Sequence, residues 1–188
     1  LIFMLLDHIH YFFQFTGKIP VLFSWIGRLA GHLFLFTMVE GYTHTSNRKK
    51  YFSRIYIMSV FMAIVKSLME ISPSLQRGDG FYAENSILST FVVLIVMFRG
   101  IDYIREKKWL KGIGLVLSPF IANYLLFIIF QLLVPILSVE IVNNIYPVAA
   151  SFIPSPFMVE GGLFLIIIGI ILYVFRENRK LKFLSFGI

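Results

Sequence analysis

Runs of about twenty mostly apolar residues recur along this chain, and that is the length that crosses the hydrocarbon of a bilayer. Short polar or basic stretches separate them. Of the 188 residues, 58% are hydrophobic and only 14% are charged, against about a quarter charged in a soluble domain. A soluble core of this size could not hide so much apolar surface. The sequence therefore predicts an all-α, polytopic transmembrane bundle forming a single domain over residues 1–188.

The expected spans fall at 1–15, 20–41, 52–71, 85–104, 112–137 and 157–175, about six in all. Gly17-Lys18-Ile19-Pro20 makes a turn, Ser72-Pro73 ends the third span, and Gly78-Asp79-Gly80 marks a turn in the 73–84 loop. Segment 138–156 is apolar but broken by Asn143-Asn144, Pro147, Pro154 and Pro156. It is read as a surface loop, a re-entrant half-helix or a distorted span. The chain starts at Leu1 within an apolar run and without an initiator Met, so the first helix is expected to continue upstream.

Charge sets the expected orientation. Three clusters hold 13 of the 17 Lys and Arg residues: Arg48, Lys49, Lys50 and Arg54; Arg99, Arg105, Lys107, Lys108 and Lys111; and Arg176, Arg179, Lys180 and Lys182. Basic loops stay on the cytoplasmic side. The loops around the clusters and the C-terminus are thus expected to be cytoplasmic in a multi-pass protein of the cell membrane. Lys18, the 73–84 loop and 138–156 are expected outside, with 138–156 starting and finishing there. The net charge of +7 is a topology signal of this kind and does not point to nucleic acid. With no cysteine there is no disulfide, thiolate metal site or thiol nucleophile. No P-loop, Rossmann fingerprint, zinc motif or nucleophile elbow occurs, and no metal is expected.

Ionisable groups inside hydrocarbon cost several kcal/mol and tend to mark function. Asp7 and His8 lie in the first span, and Arg28 lies in the second with His32 one turn further on. Asp7 with Arg28 is the expected ion pair, with His8 oriented by either. His8 is then a general base or acyl acceptor, or a structural histidine bonded to a backbone carbonyl. His10 points away from His8, toward the outer interface. At the end of the second span Glu40 and His44 form a one-turn pair. The cluster Arg48, Lys49, Lys50 and Arg54 holds an anionic ligand such as a phosphorylated cofactor, or binds lipid phosphates. Asn85 reads as a helix cap. Glu160 caps the last span or lines an outward cavity. Asn123 bonds a neighbouring helix. Arg99 with Asp102 and Lys66 with Glu70 are expected local pairs.

Met4-Leu-Leu-Asp7-His8-Ile9, Ile26-Gly27-Arg28-Leu-Ala30, Leu33-Phe-Leu-Phe36, Val39-Glu40-Gly41-Tyr42 and His44-Thr-Ser-Asn47-Arg-Lys-Lys50-Tyr51 occur in that order. With Asn85 and Glu160-Gly161-Gly162-Leu-Phe164, they resemble the TraX family of membrane proteins. The resemblance covers most of the chain, but its specific motifs concentrate in residues 4–54. It implies membrane-embedded acyl transfer, with acetyl-CoA as donor and an intramembrane histidine. His8 would be catalytic, and Asp7 and Arg28 would position it or stabilise developing charge. Glu40, His44, Arg48 and Lys50 would sit where cytoplasmic acyl-CoA arrives, alongside Lys49 and Arg54. Asn85 and Glu160 would contact the substrate. The acceptor, a peptide N-terminus, a glycan or a lipid, is not specified. His32 stands where the family pattern has Pro or an apolar residue. The family also has an aromatic-rich helical pair after the last basic stretch, where this chain stops at Ile188. Two other functions fit the intramembrane charges. One is a small proton-coupled transporter or channel. The other is a non-catalytic membrane assembly or immunity factor.

Overall fold

A computed structural model of the chain describes residues 2–82 and 87–177. Seven α-helices occur among them and no strand. They are α1 (Ile2–Phe13), α2 (Leu22–His44), α3 (Arg48–Ile71), α4 (Ile87–Arg105), α5 (Trp109–Leu137), α6 (Val139–Ala150) and α7 (Gly162–Val174). Four of them, α2 to α5, are long and apolar enough to cross a membrane. The all-helical expectation therefore holds, and the apolar helices make this a membrane protein. Helices α1 and α7 have 12 and 13 residues. At 1.5 Å per residue they reach about 18–20 Å, short of the roughly 30 Å of hydrocarbon.

Segment 138–156 is helical over Val139–Ala150 and irregular from Ser151 to Pro156. It contains α6, a 12-residue helix that carries Pro147 internally. Ser138 precedes α6 in a left-handed conformation (φ 74°), which breaks the chain sharply between α5 and α6. Helix α3 begins at Arg48, four residues before the expected boundary, because Asn47 caps it: the Asn47 Oδ1 accepts the Lys50 backbone N–H at 2.9 Å.

The chain divides into two compact units, Leu1–His44 with Ile171–Ile188, and Thr45–Ile170. In the first, α1 folds back on α2 through a 3-10 turn at Gln14–Thr16 and Gly17, whose φ is 67°. Gly27 is where the two helices meet, since a Cβ there would collide with the Asp7 side chain. Tyr42 and Tyr173 are both buried in this unit, with ring centroids 5.7 Å apart.

In the second unit, α3 and α5 pack on α4, and α6 packs on α3 and α5. Helix α4 is buried almost all round, from Ser89 to Ile95 and again at Met97 and Phe98. Apolar burial alone holds helices together weakly in lipid, where tails are as apolar as leucine, so close backbone approach and interhelical hydrogen bonds matter more. Both are present. Gly100 of α4 faces Gly112 of α5, and a Cβ on Gly100 would come within 2.8 Å of the Gly112 carbonyl oxygen. Ser59 of α3 bonds Ser89 of α4 at 3.1 Å. Ser67 of α3 reaches both Ser151 Oγ and the Pro147 carbonyl at 3.1 Å, which fixes α6.

Candidate functional site

The Asp7-His8 pair is held against α2 because Gly27 has no side chain. His8 is half-buried. Its Nδ1 donates to the Met4 carbonyl oxygen, one turn back, at 2.9 Å. A carbonyl oxygen only accepts, so Nδ1 carries a proton, and in the neutral ring Nε2 then holds the lone pair. Among the described residues nothing else bonds this ring. The structure thus gives the backbone-bonded histidine foreseen as one alternative, and the same bond supplies the tautomer a general base needs at Nε2.

Asp7 and Arg28 do not form the expected ion pair: among the described residues no salt bridge within 4.0 Å joins them. Asp7 lies on the Gly27 backbone, and Arg28, the next residue of α2, is exposed. Consecutive helix positions point about 100° apart, so the side that receives Asp7 is not the side that carries Arg28. The Arg28 carbonyl oxygen accepts a bond from His32 Nδ1 at 3.0 Å. His10 is half-buried on α1.

Helix α2 does continue to His44, as the pairing of Glu40 with His44 requires. His44 Nε2 lies 3.3 Å from Glu40 Oε2, with His44 largely exposed. This pair is at the opposite end of α2 from His8. Gly27 and Glu40 are 13 residues apart, about 20 Å along the helix. A single ligand serving both places has to be extended.

The basic cluster forms the first two turns of α3. Lys49, Lys50 and Arg54 are exposed there, whereas Arg48 is half-buried and occupied. Its Nη1 bonds Asp102 Oδ2 of α4 at 2.5 Å, and the Asp102 side chain is 9% exposed. The sequence had suggested Arg99 as the partner of Asp102. Arg99 lies over the Tyr103 ring, 4.3 Å from its centroid, and its Nη2 donates to the Tyr103 hydroxyl at 3.2 Å. The Arg48–Asp102 contact was not legible because it spans 54 residues. The only hint was an acid, Asp102, among many bases. Cations at a helix N-terminus oppose the helix dipole, and an anion docked there relieves both. Lys49, Lys50 and Arg54 are therefore suited to a phosphorylated ligand, and Arg48 to holding α3 on α4.

Glu160 precedes α7 and is exposed. Its carbonyl oxygen accepts from Thr90 Oγ1 of α4 at 2.8 Å. Asn85 lies outside the described residues. Lys66 and Glu70 form no ion pair among the described residues. In the 73–82 loop the Arg77 guanidinium bonds Asp79 at 2.7 and 2.9 Å and, together with the Phe81 backbone N–H, holds its carboxyl down at about 2. Among the described residues no group of three or more His, Cys, Asp or Glu side chains is placed to hold a metal ion.

The family model described as TraX protein matches residues 1–186. Neither the curated proteins nor the solved structures gave a match.

Proposed function

Because this chain belongs to the TraX family, we propose that it is a membrane-embedded acyltransferase that moves an acetyl group from acetyl-CoA to an amine or hydroxyl acceptor. The observation that carries the reading is His8: the bond from Nδ1 to the Met4 carbonyl leaves Nε2 as a proton acceptor within a membrane protein. In the reaction the acceptor nitrogen or oxygen attacks the thioester carbonyl while His8 Nε2 removes its proton. The tetrahedral intermediate collapses, the C–S bond breaks, and the departing thiolate takes that proton from the imidazolium. Asp7, the chain neighbour of His8, supplies charge that favours the imidazolium as it forms, and Arg28, exposed on another side of α2, takes no part in the step.

Glu40 with His44 is proposed to handle protons at the end of α2, and the donor phosphates sit on Lys49, Lys50 and Arg54. Arg48 orients the helix that carries them. The long pantetheine arm of CoA lets the acyl group reach a different depth from the phosphates. Topologically the reading is about six crossings with the basic loops and the C-terminus in the cytoplasm. In it α1 and α7 cross with the help of flanking residues, and α6 re-enters or lies at the outer surface. The acceptor approaches near Glu160 and Asn85.

Transfer of labelled acetyl from acetyl-CoA into membranes carrying the wild type tests this directly. His8→Ala is expected to reduce transfer by about 10²–10⁴-fold, the usual contribution of a general base. Equal transfer by both would end the proposal. A proton-coupled transporter is the second reading. It is favoured by α6, a helix of about 18 Å that fits a re-entrant gate.

A further inference from the structure

Beyond Ser118, whose hydroxyl donates to the Leu115 carbonyl, helix α5 carries three polar side chains deep in an apolar sequence, Asn123, Tyr124 and Gln131. Asn123 is half-buried, Tyr124 is 64% exposed and Gln131 is exposed. None of the three has a hydrogen-bond partner among the described residues. On a helix all three fall within an arc of about 100°, and Tyr124 and Gln131, seven residues apart, lie within about 20° of each other. None of the most apolar 18-residue window of α5 is buried. With α5 across the bilayer, as in the reading above, this face would present unsatisfied amide and phenol groups to lipid, each at a cost of several kcal/mol.

We infer that this face of α5 is a dimer interface with a second copy of the chain. The chemistry favours a second copy because a carboxamide is its own complement, carrying a donor NH₂ and an acceptor oxygen. Two copies inserted in the same orientation are related by a two-fold axis along the membrane normal. That axis brings each Gln131, and each Tyr124, to the depth of its counterpart, and the pairing is isologous. The surrounding residues suit a helical seam. Leu117, Phe120, Tyr124, Phe127 and Gln131 follow alternating three- and four-residue steps, the spacing of a left-handed helix pair. Of these, Leu117 and Phe127 are 45% and 47% exposed. Polar residues recurring at one position of such a seam fix its register.

The chain has no cysteine, so a single introduced thiol reports alone. Cysteines at 124 and 131, in the full chain in native membranes, are expected to form disulfide-linked dimers on mild oxidation. Cysteines replacing Leu125, Ile129 and Ile136, which are 52%, 52% and 76% exposed, are expected to give little, because they lie on the far side of the helix. Gln131→Leu, which keeps an apolar helix, is expected to raise the dimer dissociation constant measured by dilution in bilayers by about three- to tenfold. Equal cross-linking on both faces, a monomeric wild type, or cross-linking at 124 and 131 only to another protein would each overturn the inference. A membrane-impermeant maleimide separates the two readings. Labelling of the cysteines at 124 and 131 in intact membranes would refute the placement of α5 across the bilayer, and without it the inference has no basis. Failure to cross-link without labelling would refute the pairing alone.

Discussion

Replacing Arg48 with alanine leaves the Asp102 carboxylate without the guanidinium it bonds at 2.5 Å, at a side chain only 9% exposed. Breaking a buried pair by removing one partner costs about 3–5 kcal/mol. Arg48 is itself 37% exposed, so water can partly replace it, and the expected loss is near the lower end, about 3 kcal/mol. Lys49→Ala, one residue away on an exposed position, is expected to cost less than about 0.5 kcal/mol. The double variant Arg48→Ala/Asp102→Leu removes the buried carboxylate as well, and is expected to be more stable than Arg48→Ala. Denaturant unfolding in detergent micelles measures all four proteins. The outcome also bears on ligand binding: Lys49, Lys50 and Arg54 should affect anion binding without affecting stability, whereas Arg48 should affect stability first. Arg48→Ala as stable as Lys49→Ala would refute the assignment of Arg48 to the α3–α4 contact.

Gly27→Ala places a methyl group on the Asp7 side chain. It is expected to push α1 off α2, lower stability by about 1–3 kcal/mol and reduce acetyl transfer with it, as unfolding and transfer assays would show. Ser67→Ala removes the bonds to Ser151 and Pro147. It is expected to cost about 0.6–1.7 kcal/mol and to speed hydrogen exchange selectively in α6. In the 73–82 loop, Asp79 is expected to titrate near 2 by carboxyl ¹³C shifts and to return toward the ordinary carboxylate range in Arg77→Ala. Its pKa is depressed in the fold, so whatever the Arg77–Asp79 pair contributes is present above the ordinary carboxylate range and is lost as pH falls toward 2.

The apolar runs made the helices legible, since length and hydropathy alone place α2 to α5 to within a few residues. Boundaries were missed where a single side chain sets them. Asn47 starts α3 at Arg48 through its cap, and that moved the basic cluster from a loop onto a helix. Pro147 and Asn143-Asn144 suggested a broken segment, yet α6 forms. Ser67 and Ser151 bond the Pro147 carbonyl and tie the segment to α3. For the candidate site, Asp7, His8 and the Glu40–His44 pair were visible because polar groups in apolar runs stand out. Their partners were not. Asp7 answers to a glycine and Arg48 to an acid 54 residues away, and such contacts depend on how helices pack, which periodicity does not encode.

The measurement that bears most directly on the central claim is acetyl-CoA binding to the full-length protein in nanodiscs. Wild type, His8→Ala and the triple variant Lys49→Ala/Lys50→Ala/Arg54→Ala would be compared. The account predicts binding by wild type and His8→Ala and its loss in the triple variant, because the phosphates are held at the start of α3 and the base acts on the acceptor. Absence of binding by folded wild type, or binding undiminished in the triple variant, would contradict it.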